Sequence, residues 1–303
     1  MTAALPNAAS GFTPLPRPGR RGALFVHHLA GSYGLLPRDV FVWVPDAPVP
    51  QGGFPVLYLQ DGQNLFDARL VPFGTAWEAD RSVSRLVDAG GIVPVMVVGI
   101  ASTAERFTDY APASMMAQLP APARAAVELA WGGRARSADY ARLVIEDVKP
   151  LIDRHFPTRP DPEATFVGGS SLGAMAALEI LSAYPDQVGG ALCLSAHFSL
   201  LPVTGTEQLP AGFGADVTAA AAGFAADLPR AGRHVLWIDR SALGIDRFYG
   251  PSHTAVADVL KARGFIQDVD LVMRCYPGVG HDEGAWRDRL DDALSFLLAC
   301  RTG

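Results

Sequence analysis

Lysine is nearly absent. The 303-residue chain has two, Lys149 and Lys261, and carries a net charge of −6. No run of Lys or Arg occurs. Arg17, Arg20 and Arg21 near the start are too few to form a basic stripe, which argues against a nucleic-acid or anionic-membrane surface. Cysteine is scarce too. Cys193, Cys275 and Cys300 form no CxxC pair and no disulfide framework, and no Cys/His spacing suits zinc. Cys193 and Cys275 lie in apolar runs and read as buried small hydrophobes. No stretch of about eighteen apolar residues exists, so no membrane span is expected. The opening MTAALPNAASGFTPLPRPGRR has no apolar core behind a charged start. No signal peptide is read there, and the expected location is cytoplasmic.

Apolar residues are plentiful. Hydrophobic residues make up 49% of the chain and charged residues 18%, enough for a large core. Residues 1–20, rich in Ala and Pro, read as a flexible arm, and 21–303 as a single domain. Short β-rich runs recur at 23–29, 38–44, 55–60, 93–99, 164–168, 190–195, 234–239 and 269–276. The later runs are continuously apolar, as strands covered by helices on both faces are. Helical periodicity lies between them, most clearly at 77–90, 138–155, 172–184, 251–264 and 284–299. This alternation predicts an α/β-hydrolase-like fold: an eight-stranded, mainly parallel sheet, flanked by helices and opening on an antiparallel hairpin. Residues 111–136 and 198–230 break the alternation. Each follows a strand on the side where such folds keep their active sites, and each is expected either to cap a pocket or to connect elements over the surface.

The main chemical motif is Gly169-Ser170-Ser171-Leu172-Gly173, a G-x-S-x-G. The pattern alone says little. Here ATFVG leads directly into it and LGAMAALEILSAY directly out, the strand–turn–helix setting of a nucleophile elbow. A turn that sharp leaves no room for side chains at the flanking positions, hence the glycines. It also sets the Ser171 hydroxyl at a helix N-terminus, whose free N–H groups favour a developing anion. The Leu172 N–H is the expected first oxyanion donor. The plain alternative is that Ser171 only caps the helix.

A serine nucleophile needs an adjacent base. Among seven histidines, His281 follows the last strand through Pro277-Gly278-Val279-Gly280 and precedes the final helix, so its imidazole can return to the sheet edge. His27, His28, His155, His234 and His253 fall within or at the ends of regular elements and read as structural. His197, past strand 190–195, and Asp61, past strand 55–60, are candidate substrate contacts. The acid is expected after strand 234–239. Asp246, on the loop, is preferred; Asp239, closing the strand, stays open, as does a Ser–His dyad without an acid. Asp282 is too near His281 in sequence to sit behind its ring. In Asp61-Gly62-Gln63-Asn64, Gly62 lets the backbone turn so that the Gln63 N–H becomes the second oxyanion donor. The other reading of that loop is an ordinary Asx turn. No metal or organic cofactor is required.

Several segments resemble the esterase branch of the α/β-hydrolase superfamily, most of all its enterochelin-esterase-like group. They are PVLYLQDGQNLFD (55–67), VVGIASTAERFTDYAP (97–112), DVKPLIDRHFPTRPD (147–161), FVGGSSLGAMAALE (166–179) and YPGVGHDEGAWRDRLDDALSFLL (276–298), with a weaker LGIDRFY (243–249). The resemblance implies Ser171 as nucleophile, His281 as base, and the Gln63 and Leu172 N–H groups as oxyanion hole. The aspartate of a G-T-x-x-L-D-x-x-Y-like segment falls on Asp246, although Ser241 and Ala242 stand where relatives tend to carry Gly-Thr. Arg106, Asp109 and Tyr110 match a recurrent segment read as loop-ordering.

The leading expectation is therefore a serine esterase acting on a small-molecule ester through an acyl-enzyme. The alternatives are an acyltransferase on the same residues and a silent binding protein on the same fold. The apolar, Ala-rich insertions hint at a neutral or aromatic substrate group.

Overall fold

The computed structural model describes residues 11–71, 74–201 and 209–299. Expectations for residues 1–10, for Cys300 and for 202–208 within the second insertion lie outside the described residues.

The strands are β1 Thr13–Pro14, β2 Ala23–Leu29, β3 Arg38–Val44, β4 Val56–Gln60, β5 Met96–Ile100, β6 Thr165–Ser170, β7 Gly190–Leu194, β8 Val235–Ser241 and β9 Leu271–Tyr276. They form one sheet in the order β1-β2-β3-β5-β4-β6-β7-β8-β9. The pairs β1–β2, β2–β3 and β3–β5 are antiparallel, and every pair from β5 onward is parallel. The helices are α1 Ala79–Asp88, α2 Arg106–Tyr110, α3 Ala113–Ala117, α4 Ala121–Ala130, α5 Ser137–Arg142, α6 Lys149–His155, α7 Leu172–Ala183, α8 Phe213–Asp227, α9 Gly250–Ala262 and α10 Glu283–Leu298.

Strand parity sorts the core into two layers. Along β4, Val56 and Tyr58 join the residues of α5 to α9, while Leu57 and Leu59 join Val83 of α1 and Trp286, Leu290 and Leu294 of α10. Both faces are covered, so β4 is buried at every position, which explains its unbroken apolar run. Each such side chain contributes roughly 1.5–3 kcal/mol on full burial. The stripe at 138–155 is helical throughout but widens to a π turn over Leu143–Val148. Pro150 has no N–H for the Glu146 carbonyl and its ring crowds that turn, so the regular α pattern gives way just before it. Among the described residues no helix is long and apolar enough to cross a membrane.

Three expectations are corrected. The sheet has nine strands rather than eight, the extra one being β1. Residues 11–20, grouped with the flexible arm on composition, are anchored to the domain at Phe12 and Arg17 although most of their side chains are exposed. Phe12 is buried with its ring 4.9 Å from that of Phe156, and Arg17 donates to the buried Asp80 at 2.8 Å. A proline-bearing stretch is tolerated there because β1 is an edge strand, where a missing N–H breaks no ladder. Cys275 is exposed, since β9 is the opposite edge and its second half emerges beyond the covering helices.

The first insertion forms α3 and α4, and the described part of the second forms α8. The two pack together, with Gln118 donating to Asp227 at 3.2 Å. Phe12→Ala is expected to lower unfolding free energy by about 3 kcal/mol, the usual range for a buried phenylalanine. Urea denaturation measures it; a change below about 0.5 kcal/mol, typical of a surface site, would mean the segment is not packed.

Candidate active site

β6 runs into Ser171 and α7 leaves from Leu172. Between them Ser171 takes φ 55, ψ −123, a conformation side chains rarely adopt. A Cβ on Gly169 would stand 2.6 Å from the Gly173 carbonyl carbon, and one on Gly173 would stand 3.0 Å from the Gln60 Cβ. The close approach of β4, β6 and α7 thus excludes a side chain at 169 and leaves little room for one at 173.

The fold brings His281 to this turn across 110 residues of chain: its Nε2 is 3.0 Å from Ser171 Oγ. Its Nδ1 is 2.5 Å from Asp246 Oδ1. An ionised carboxylate only accepts, so Nδ1 carries the proton and Nε2 is left to accept from the serine hydroxyl. Asp246 is buried in the turn after β8, and its Oδ2 accepts the Ser241 N–H at 2.6 Å. Burial pushes its carboxyl up, but the hydrogen bond and charge of His281 outweigh that and hold it below the ordinary range.

Asp239 is occupied elsewhere. It accepts the Ser195 N–H at 2.8 Å, the Trp237 indole N–H at 2.9 Å and two N–H groups of Arg289. Burial drives its carboxyl up against the pull of Arg289. Asp282 caps α10 by accepting from the Ala285 N–H at 2.9 Å.

The loop after β4 turns at Asp61, with φ 57. Gly62 lies against β5, where a Cβ would stand 2.3 Å from the Gly99 carbonyl carbon. The Gln63 side chain is locked to Ser102, donating to its Oγ at 2.9 Å and accepting its N–H at 3.1 Å. The Asn64 and Leu65 N–H groups are taken by the Asp61 and Gly62 carbonyls. Leu172, first in α7, has no intrahelical acceptor for its N–H.

The two candidate substrate contacts are held by protein partners. Both Asp61 oxygens accept from Arg106, each at 2.7 Å. Burial opposes the charge on Arg106, but the Asp61 carboxylate more than offsets it and keeps the guanidinium firmly protonated. The His197 ring has a fixed tautomer. Nε2 lies 3.1 Å from the Leu201 carbonyl and so donates, leaving Nδ1 to accept from the Tyr249 hydroxyl. Burial pushes this imidazole down to about 3, so it stays neutral.

Ser171, Leu172, His281, Gln63, Asp61 and His197 line a cavity of about 480 Å³. Sequence reasoning missed much of its wall. Phe107 and Trp131 neighbour each other with ring centroids 6.3 Å apart, and Trp286 lies edge-on to His281 at 5.0 Å. Arg106 also lines it, although its segment was read as ordering the loop only. Tyr249, behind His197 and edge-on to His281, was missed as well; its one signal was its place in LGIDRFY, three residues after Asp246. Among the described residues no group of three or more His, Cys, Asp or Glu is arranged to hold a metal ion.

A model of the Esterase family, described as "Putative esterase", matches residues 36–297. The chain is 30% identical over 153 residues to ferri-bacillibactin esterase BesA of Bacillus subtilis, covering 48% of this chain and 49% of that protein. It spans about half the length of the curated relatives it matches. Among solved structures it is similar to the BES protein from Bacillus cereus, with TM-score 0.61 and 16% identity over 90% of this chain and 94% of that one. It is also similar to the ferric enterobactin esterase from Salmonella typhimurium, with TM-score 0.62 and 18% identity over 97% and 61%. At such identities the likeness is one of fold alone, the α/β-hydrolase fold.

Neutral burial of His197, and of His253 at about 4, has a consequence for acid stability. The unfolded chain takes up these protons near pH 6.5 and the folded chain does not, so stability is full above about pH 6.5 and falls as pH drops toward 4. Urea unfolding at several pH values is expected to show this decline. It should be shallower in His197→Gln, whose amide can still donate to Leu201 and accept from Tyr249. An equal decline in the variant would mean that His197 does not carry it.

Proposed function

The chain belongs to the Esterase family, and from that premise we propose that it is a serine hydrolase cleaving a small-molecule carboxylic ester, with Ser171, His281 and Asp246 as its catalytic triad. The observation that carries the reading is the hydrogen-bond path from Ser171 Oγ through His281 to the buried Asp246.

Ser171 Oγ attacks the ester carbonyl carbon while His281 Nε2 takes its proton. The oxygen that becomes negative is met by the N–H groups of Leu172 and Gln63, preorganised where charge develops. Asp246 stabilises the imidazolium through Nδ1–H. The Nε2–H then protonates the leaving alcohol oxygen as the C–O bond breaks, giving an acyl-enzyme. Water attacks that ester with Nε2 again as base, and the acid is released from a regenerated Ser171.

Relatives carry the names ferri-bacillibactin esterase and ferric enterobactin esterase. Phe107, Trp131 and Trp286 around the cavity suit an aromatic ring on the acyl or alcohol part. We take an aryl-bearing ester, of which a siderophore ester is one kind, as the substrate class. A screen over short-chain, aryl, feruloyl and siderophore-type esters tests it; the class fails if short aliphatic esters are cleaved best.

A fluorophosphonate probe is expected to label the native protein and not Ser171→Ala. Absence of native labelling would refute the reading. Hydrolysis of p-nitrophenyl acetate should drop roughly 10⁴-fold in His281→Ala. The native acid limb of the pH–rate profile should follow one proton, because His197 and His253, pushed to about 3 and about 4, are already neutral above about pH 5. A two-proton limb in that range would contradict the assignment of His281 as the sole base.

A further inference from the structure

We propose that Arg289, on α10, is a positioning residue for this site: its buried guanidinium sets the direction of two serine hydroxyls, sending Ser195 onto the Asp246 carboxylate and Ser241 onto the carbonyl just ahead of His281. The proposal rests on the triad reading above.

The argument is one of donors and acceptors. Arg289 is 4% exposed and has five N–H groups. Nε donates to Asp239 Oδ2 at 3.1 Å, and Nη2 donates to Asp239 Oδ1 at 2.9 Å and to Ser195 Oγ at 2.7 Å. Nη1 donates to Ser241 Oγ at 3.0 Å and to the Ala285 carbonyl at 3.5 Å. The charge is met by Asp239, and every N–H is used.

Ser195 Oγ receives a second donor, the Trp286 indole N–H at 3.0 Å. Neither a guanidinium nor an indole N–H can accept, so both lone pairs of Ser195 are taken and its hydroxyl must donate elsewhere. On this proposal the acceptor is the Asp246 carboxylate, which Ser195 helps to hold ionised. The backbone of Ser195 is itself fixed by its N–H bond to Asp239, at φ 47. Ser241 Oγ, filled from one side by Nη1, donates to the Gly280 carbonyl at 2.7 Å, while the Ser241 N–H holds Asp246 Oδ2. One guanidinium therefore supports both ends of the Asp246–His281 pair, from behind the carboxylate and from the loop that carries the imidazole.

A lysine in its place could keep the charge beside Asp239. Its single ammonium could not reach Asp239, Ser195 and Ser241 in the fixed fork that the guanidinium provides. With the Ser195 donor lost, the Asp246 carboxylate becomes more basic and holds the His281 imidazolium proton more tightly. The other titratable groups facing His281 are His197, Glu283 and Asp282, with Tyr249 edge-on at 6.1 Å, and neither variant below alters them.

The test is the rate constant for inactivation by a fluorophosphonate, measured against pH in the full chain, in Ser195→Ala and in Arg289→Lys. The acid limb is expected to move up by about half to one pH unit in both variants. Arg289→Lys should also lose roughly tenfold in the plateau rate, as the loop ahead of His281 loosens. A merely structural role would lower the melting temperature and leave the limb where it is in folded protein, and that result overturns the proposal. If Arg289→Lys does not fold, Ser195→Ala decides alone. A limb that persists in His281→Ala would instead defeat the triad reading, so the two failures are distinguishable.

Discussion

Holding a non-glycine residue at φ 55, ψ −123 costs of order 1–3 kcal/mol, and at Ser171 the elements on either side supply the restraint. β6 is hydrogen-bonded between β4 and β7, and the Ser171 N–H itself donates to the Leu194 carbonyl at 2.9 Å. α7 is buried at every position from Leu172 to Leu181. The strand cannot slide and the helix cannot rotate, so the residue between them stays bent. From that bend follow the place of the hydroxyl on the cavity wall, the Leu172 N–H beside it and the point to which His281 must return.

Around this turn the chain places buried and half-buried ion pairs. Arg106 grips Asp61 on the loop that carries Gln63, and Arg289 grips Asp239 at the end of β8. Arg38 pairs with Asp109 at 2.9 Å, with both side chains fully buried. Such pairs add little net stability, because desolvation offsets most of the attraction. Removing one partner is costly, however, and the geometry of a paired guanidinium is rigid. Each pair ties a segment that bears a site residue to a separate element, so the charges hold loops in place. This recasts the match of Arg106, Asp109 and Tyr110: Arg106 orders the Asp61 loop and also forms cavity wall, while Asp109 secures the start of β3 through Arg38.

The strands and long helices were legible because a two-sided sheet needs continuous apolar runs, and each run is bounded by a helix of matching period. The tight turn at Ser171 was legible because glycines flank it at 169 and 173, where a side chain would be crowded. His281 was legible because few histidines sit in a loop past a strand. The choice between Asp246 and Asp239 was not. One lies in β8 and the other seven residues on, in the turn after it, and what separates them is Arg289, fifty residues away from Asp239, which takes one carboxylate and leaves the other to His281. The anchoring of Phe12 and Arg17 was hidden for a similar reason: Phe12 finds Phe156, and Arg17 finds Asp80.

By itself the sequence determined whatever depends on neighbours along the chain: the order of strands and helices, the tight turn at Ser171, the glycines it needs and the flexible approach to His281. Tertiary structure alone decided which carboxylate meets the imidazole, that Asp61 and His197 are held by Arg106 and by Tyr249 with Leu201, and which aromatic rings border the cavity. The physical reason is range. Steric and propensity rules act over a few residues, whereas a buried charge or hydroxyl chooses its partner from whatever the folded chain brings within about 3 Å.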